Sequence, residues 1–152
     1  MNTPEILILK DDGADPDLPL PSYETDGAAG ADLRADLRGG EMVLAPMQRA
    51  LIPTGLKMQI PPGYEVQIRA RSGAALRDGL SLVNGVGTID ADYRGPVGVI
   101  AINLSDRPLT IRHGDRVAQI VVAPVVQARF TAVAAIDDTA RGGGGFGSTG
   151  RG

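Results

Sequence analysis

Five short stretches of this chain carry residue types that could do chemistry. In Ala29-Gly30-Ala31-Asp32-Leu33-Arg34-Ala35, one aspartate sits among small residues. A buried carboxylate there could hold metal-bound water, and it could equally cap a turn entering a strand. Arg69-Ala70-Arg71-Ser72-Gly73 puts two guanidiniums, a hydroxyl and a flexible backbone where a strand meets a helix start. Free N–H groups and the positive end of the helix dipole attract anions at such a place. The plainer reading is an N-cap serine flanked by solvated arginines. Asn84-Gly85-Val86-Gly87-Thr88-Ile89-Asp90-Ala91-Asp92-Tyr93-Arg94-Gly95 reads as a tight hairpin whose glycines let backbone approach a ligand closely. Asn84 and the strand backbone offer directional donors and acceptors, Tyr93 a flat wall and Asp90 a general base for water. A hairpin with solvated acids is the alternative. In Gly114-Asp115-Arg116-Val117-Ala118-Gln119-Ile120 the one unusual residue is Gln119, an amide amid apolar neighbours. Arg141-Gly142-Gly143-Gly144-Gly145-Phe146-Gly147-Ser148-Thr149-Gly150 could wrap phosphates through backbone N–H groups. No Gly-Lys-Ser/Thr follows, so it is not a Walker loop. A bare glycine tail is the competing reading, but an arginine before the glycines, one aromatic and Ser-Thr after them favour a closing arm.

Composition narrows the chemistry. Net charge is −3 over 152 residues, from 15 Lys and Arg against 18 Asp and Glu. That excludes a strongly basic nucleic-acid binder or a polybasic membrane surface. Thirteen of the cations are arginine, which suits bidentate phosphate contacts, although compositional bias explains most of the excess. With no cysteine, disulfides, zinc–thiolate sites and thiol nucleophiles are ruled out. His113 is the single histidine, so a Ser-His-Asp triad would need it and a multi-histidine metal site is impossible. Met1 to Lys10 shows no basic region followed by an apolar stretch, and the longest apolar run, Ile120 to Val126, is too short to span a bilayer. A cytoplasmic protein without membrane contact is the expectation.

The elements that must hold these residues read as short strands. Glu5 to Leu9, Arg49 to Thr54 and Leu56 to Ile60 look extended, the latter two separated by a turn, with Pro61-Pro62-Gly63 closing the second. Tyr64, Val66 and Ile68 alternate with polar residues, as do Val97, Val99 and Ala101, and then Val117, Gln119 and Val121. That last pattern places Gln119 on a face that should be apolar, or on a site-facing strand. Only Ser72 to Asp78 looks helical, with Ser72 as its cap and Gly79 as its stop. Glycine and proline total 32, and strands recur at about ten residues, as in barrels, jelly rolls and sandwiches. Residues 137–152 form a glycine-rich segment that cannot bury enough surface to fold alone.

Taken in order and spacing, the five segments resemble the five motifs of the trimeric dUTP pyrophosphatase (dUTPase) family, from about Pro19 to Gly150. Pro53-Thr54-Gly55-Leu56 and Pro124-Val125-Val126-Gln127-Ala128 also look like its bacterial members. The resemblance implies an all-β, distorted jelly-roll barrel (β-clip type) over 1–136, with one short helix, and a flexible arm over 137–152 that closes the active site. It implies a nucleoside triphosphate pyrophosphohydrolase that converts dUTP to dUMP and pyrophosphate with Mg2+. That reaction keeps uracil out of DNA and supplies dUMP for thymidylate synthesis. It implies a homotrimer whose active sites are shared between subunits, with no nucleic-acid partner.

Residue by residue, the resemblance implies that Asp90 holds and deprotonates the attacking water. Asn84 and the backbone of Gly87, Thr88 and Ile89 would read uracil, with Tyr93 under the deoxyribose leaving no room for a 2′-hydroxyl. Arg71, Ser72 and Gly73 would bind the α- and β-phosphates from a neighbouring chain, with Gln119 close by. Asp32 would anchor waters around a Mg2+ held mainly by the triphosphate. Arg141, Phe146, Gly147 and Ser148 belong to the arm, Phe146 stacking on uracil and the others closing over the γ-phosphate. Gly142 to Gly145 is an unusually plain glycine run, and Thr149 stands where the family has other small residues.

The nearest rival is dCTP deaminase, which shares the fold, the trimer and a similar base-binding hairpin. Deamination calls for a group, typically a glutamate, that polarises C4 and shuttles its proton. The glutamates here are Glu5, Glu24, Glu41 and Glu65, none in the hairpin. A non-catalytic β-barrel that binds partners is the other alternative, and it predicts no response to nucleotide and a dispensable tail.

Overall fold

The alternations read from the sequence become strands in the computed structural model, which describes residues 3–151. Met1, Asn2 and Gly152, the outermost residues of the expected barrel and arm, lie outside the described residues. The strands are β1 (Leu7–Lys10), β2 (Ala31–Arg34), β3 (Glu41–Leu44), β4 (Arg49–Gln59), β5 (Tyr64–Arg69), β6 (Leu80–Leu82), β7 (Gly87–Ile89), β8 (Val97–Asn103), β9 (Leu109–Arg112) and β10 (Arg116–Pro124). They form two four-stranded sheets, β1-β4-β8-β6 and β2-β10-β5-β7, and a two-stranded sheet, β3-β9, with every pairing antiparallel. The fold is all-β and jelly-roll-like.

Both large sheets turn their alternate apolar residues into one core. Ile52, Leu56 and Met58 of β4 and Val97, Val99 and Ala101 of β8 meet Leu33 of β2, Val66 and Ile68 of β5 and Ile120 of β10. Each fully buried Leu or Ile there contributes about 1.5–3 kcal/mol. Asn103 is also fully buried, and its amide is satisfied: Nδ2 donates to the carbonyls of Leu44 (2.9 Å) and Arg107 (2.8 Å), and Oδ1 accepts from the Ser105 N–H (2.9 Å). No helix among the described residues is long and apolar enough to cross a membrane.

Four local readings change in the folded chain. The two strands expected across 49–60 are one strand, β4; Gly55 (φ 69) takes up an irregularity between Pro53 and Leu56 that leaves the strand continuous. The stretch Asn84 to Gly95 is not a hairpin whose arms pair together: its only strand is β7, and residues 90–95 form none. β6 pairs with β8 and β7 pairs with β5, so the segment between them crosses from one sheet to the other. Ser72 does not cap the helical turn Ala74–Asp78; Gly73 occupies the N-cap position without a side-chain cap bond, while Gly79 (φ 71) ends the turn as expected. Gln119 is off the core face. β10 carries a bulge between Arg116 and Ala118, after which Ala118 and Ile120 point inward and Gln119 outward.

The single histidine has a structural occupation. His113 Nδ1 accepts the Leu37 N–H (3.1 Å), which leaves Nε2 to donate to Asp15 Oδ2 (2.7 Å). With both ring nitrogens engaged, none is left to serve a nucleophile. Lys10 Nζ clasps the same loop by donating to the carbonyls of Asp15, Pro16 and Leu18 at 2.6–2.9 Å. The Asp15 carboxyl is held below the usual aspartate value, first by the Asp17 N–H, then by His113 and Lys10. Beyond β10 the chain runs without strands, and residues 124–143 are all exposed.

Candidate active site

Three of the candidate residues meet on the outer face of the β2-β10-β5-β7 sheet. Register sets Asp32 of β2 opposite Gln119 of β10, and Gln119 opposite Arg69 of β5. Directly opposed residues share a face, so the three form a row across the strands. Arg71, two residues beyond the end of β5, folds back onto this row. Its Nε lies 2.8 Å from Asp32 Oδ1, and Arg116 Nη1 lies 3.0 Å from Asp32 Oδ2. The Asp32 carboxylate is nearly buried, its side chain 10% exposed, yet both oxygens are paired. Two guanidiniums flank one carboxylate, with Glu24 Oε2 3.9 Å from Arg116 Nη1, and the donors they keep spare suit an anion. Gln119 donates to the Ala70 carbonyl (2.9 Å), and its amide fills the space where a side chain on residue 30 would stand, so anything larger than glycine there must displace it. Ser72 and Gly73 follow Arg71, exposed, at the start of the helical turn.

A second group lies at the far edge of the same sheet. β7 is an edge strand, and its outer edge has unpaired backbone donors and acceptors. Gly87 is packed closely: a Cβ there would lie 3.3 Å from Asn84 Nδ2 and 3.2 Å from Ile68 Cβ, so the Asn84 amide sits directly over it. Ile89 points into the core, leaving only its backbone to a ligand, and Thr88 is exposed. Asp90 follows the strand, exposed, and its carboxylate has no hydrogen-bond or ion-pair partner among the described residues. It borders an open pocket shared with Tyr64, Glu65 and two residues just after β10, Val125 and Gln127. The Tyr93 hydroxyl donates to the Pro96 carbonyl (2.9 Å), which pins the ring over Gly95.

The third group is the tail. Arg141 Nε donates to the Gly144 carbonyl (2.7 Å), and turns closed by Ser148 N to Gly145 O and Gly150 N to Gly147 O carry Gly147 and Ser148. Every described hydrogen bond of residues 139–150 stays inside the tail. Phe146 is fully exposed and takes a left-handed backbone (φ 52), a strained choice for a residue with a side chain.

The β5–β7 ladder holds the first two groups in one sheet, but no side-chain hydrogen bond or ion pair among the described residues joins the three groups within one chain. Nor does any cluster of three His, Asp or Glu side chains there form a metal cage. The residue missed by reading the sequence is Arg116. Its strand seemed regular, and the bulge that turns it toward Asp32 leaves no mark on apolar periodicity.

Comparison with known proteins agrees with the motif order. The dUTPase family profile matches residues 17–150. A deoxyuridine 5'-triphosphate nucleotidohydrolase of Roseobacter denitrificans is 64% identical over 139 residues, covering 91% of each chain. One from Dinoroseobacter shibae is 56% identical over 97% of each. Among solved structures, the dUTPase of Staphylococcus bacteriophage 80alpha with dUPNHPP superimposes with a TM-score of 0.82 at 26% identity, covering 99% of this chain and all of that one. The Streptococcus mutans dUTPase gives 0.73 at 28% identity, covering 81% of this chain and 98% of that one. With the profile spanning nearly the whole chain and full-length relatives this similar, the chain belongs to the dUTPase family, and its activity is the hydrolysis of dUTP.

Proposed function

We propose that this chain cleaves dUTP between the α- and β-phosphates, Asp90 taking the proton of the attacking water, in homotrimeric sites to which each copy lends a different group. The observation that carries the proposal is the separation just described. The Asp32–Arg71–Arg116 cluster, Asp90 with its base-reading edge and the tail each hold one part of the chemistry, and no side-chain hydrogen bond or ion pair among the described residues links them in one chain.

In this reading Asn84 and the free edge of β7 pair with uracil, and the Tyr93 ring, pinned by its hydroxyl, closes the space that a 2′-hydroxyl would need. Arg71, Ser72 and Gly73 take the α- and β-phosphates, with the Gln119 amide beside them. The water oxygen forms a bond to the α-phosphorus as its proton passes to Asp90. The α–β bridging bond then breaks, releasing dUMP and pyrophosphate. An exposed carboxylate is a weak base, but it serves where positioning and charge neutralisation supply most of the rate. Arg141, Phe146, Gly147 and Ser148 fold over the nucleotide and exclude water.

The residues present fit Mg2+ as an ion carried by the polyphosphate. The described residues form no three-ligand cage, but Asp32 keeps unused lone pairs that can hold the ion's waters. When bound, the ion neutralises phosphate charge. Support for assembly comes from apolar surface without a partner. Leu7, Leu9, Leu51 and Ile100 are exposed on the outer face of the β1-β4-β8-β6 sheet, and Val126, Phe130 and Ile136 are exposed in the segment between β10 and the tail. The reaction belongs to the cytoplasm, where it removes dUTP and supplies dUMP.

The test is pyrophosphate release measured with dUTP, dCTP, dTTP and UTP, with and without Mg2+. Release from dUTP alone, dependent on Mg2+, supports the proposal; equal release from dTTP or UTP refutes the base and sugar reading.

A further inference from the structure

We infer that Arg116 is a positioning residue for this reaction: through the Asp32 carboxylate and its own backbone carbonyl it holds the Arg71 guanidinium at the phosphates. The inference rests on the proposed role of Arg71 and adds a residue to the machinery.

Three contacts carry it. Arg71 is fixed at two points, Nε to Asp32 Oδ1 (2.8 Å) and Nη1 to the Arg116 carbonyl (3.3 Å). A guanidinium has five N–H donors, so three remain for an anion, and the two anchors set where they point. Asp32 is in turn held from the other side, its Oδ2 lying 3.0 Å from Arg116 Nη1. Remove that partner and the carboxylate is free to swing about its last bond, taking the Arg71 anchor with it. The fold invests in the arrangement. Without the bulge, Arg116 would lie on the face of Ala118, which is fully buried in the core. Instead Val117 and Ala118 together oppose Leu33, and Arg116 emerges with Gln119 and Asp32. Bulges are one of the few devices that re-aim a strand side chain in this way. The Arg116 side chain is 40% exposed and its other acidic neighbour, Glu24, is 3.9 Å away, so Asp32 is its principal partner.

The test is a double-mutant cycle on the full-length protein, read as kcat and KM for dUTP. Arg116→Met should lower kcat/KM about 10- to 100-fold, the scale of a misplacement near 1 Å. In an Asp32→Asn background, where the bridge is already broken, the same change should cost less than about threefold. Arg116→Lys, which restores one N–O contact to Asp32, should recover most of the loss. Equal losses in both backgrounds would show Arg116 touching the polyphosphate directly and overturn the inference. So would undiminished turnover in Arg116→Met. Thermal unfolding of each variant separates loss of fold from loss of function, and Arg116→Lys keeps the test decisive if Arg116→Met unfolds. Failure of the unmodified protein to turn over dUTP would instead refute the proposed function itself.

Discussion

Gly30 stands where a methyl group collides with Gln119, and the cost of adding one can be worked through. Gly30 does not have a positive φ, so its backbone accepts alanine without strain. The new Cβ would lie 2.9 Å from Gln119 Cδ and 3.3 Å from Gln119 Cβ, and closer still to Oε1. Comfortable carbon contacts begin near 3.5 Å. Relief requires the carboxamide to swing out, breaking its 2.9 Å bond to the Ala70 carbonyl. The lost bond is worth about 0.5–1.5 kcal/mol. An off-rotamer glutamine adds a similar amount, so the total is about 1–3 kcal/mol. For a chain of this length each kcal/mol moves Tm by roughly 2–4 °C, which predicts a fall of about 2–12 °C. In a Gln119→Ala background the obstruction is gone, and Gly30→Ala should cost less than about 0.5 kcal/mol. Urea or thermal unfolding of the four proteins at one subunit concentration reads the cycle. Turnover should follow, Gly30→Ala losing about tenfold in pyrophosphate release and adding nothing to Gln119→Ala. An equal stability cost in both backgrounds would refute the collision and with it the placement of the glutamine.

Asp90→Asn removes a base that has no structural partner, so unfolding should shift by less than about 0.5 kcal/mol and dUTP should still bind, while kcat falls about 10²- to 10⁴-fold; unchanged kcat refutes the role. Tyr93→Ala should raise the activity ratio of UTP to dUTP, and a constant ratio counts against the steric gate. Deleting residues 141–152 should cut turnover strongly and leave barrel unfolding unchanged, because the tail's hydrogen bonds are internal; full activity without the tail would end the closing-arm reading. Asp15 has a lowered carboxyl value in the folded chain, so it stabilises the fold above the ordinary aspartate value of about 3.9 and that contribution is lost as pH falls below it. Acid unfolding of Asp15→Asn should therefore be flatter from about pH 4 downward, and a slope equal to that of the unsubstituted chain removes the linkage.

The sequence by itself determined what depends on local residue type. The period-2 apolar patterns of Tyr64 to Arg69 and Val97 to Ala101 specified β5 and β8, because one face of each strand must be buried. Gly79 ended the helical turn because a left-handed residue there costs glycine nothing. The order of the five motifs carried the resemblance to the dUTPase family that the match over residues 17–150 bears out. Tertiary structure alone decided what depends on register and on which edge pairs with which. A bulge at Val117 reassigned the face of Gln119 and brought Arg116 to Asp32. Pairing with different sheets parted β6 from β7. The lone histidine became a loop anchor through contacts to Asp15 and Leu37, which lie more than 70 residues away in the chain. One inserted residue or one alternative edge leaves the amino-acid pattern nearly untouched while turning a side chain to the opposite face, so only the folded backbone records it.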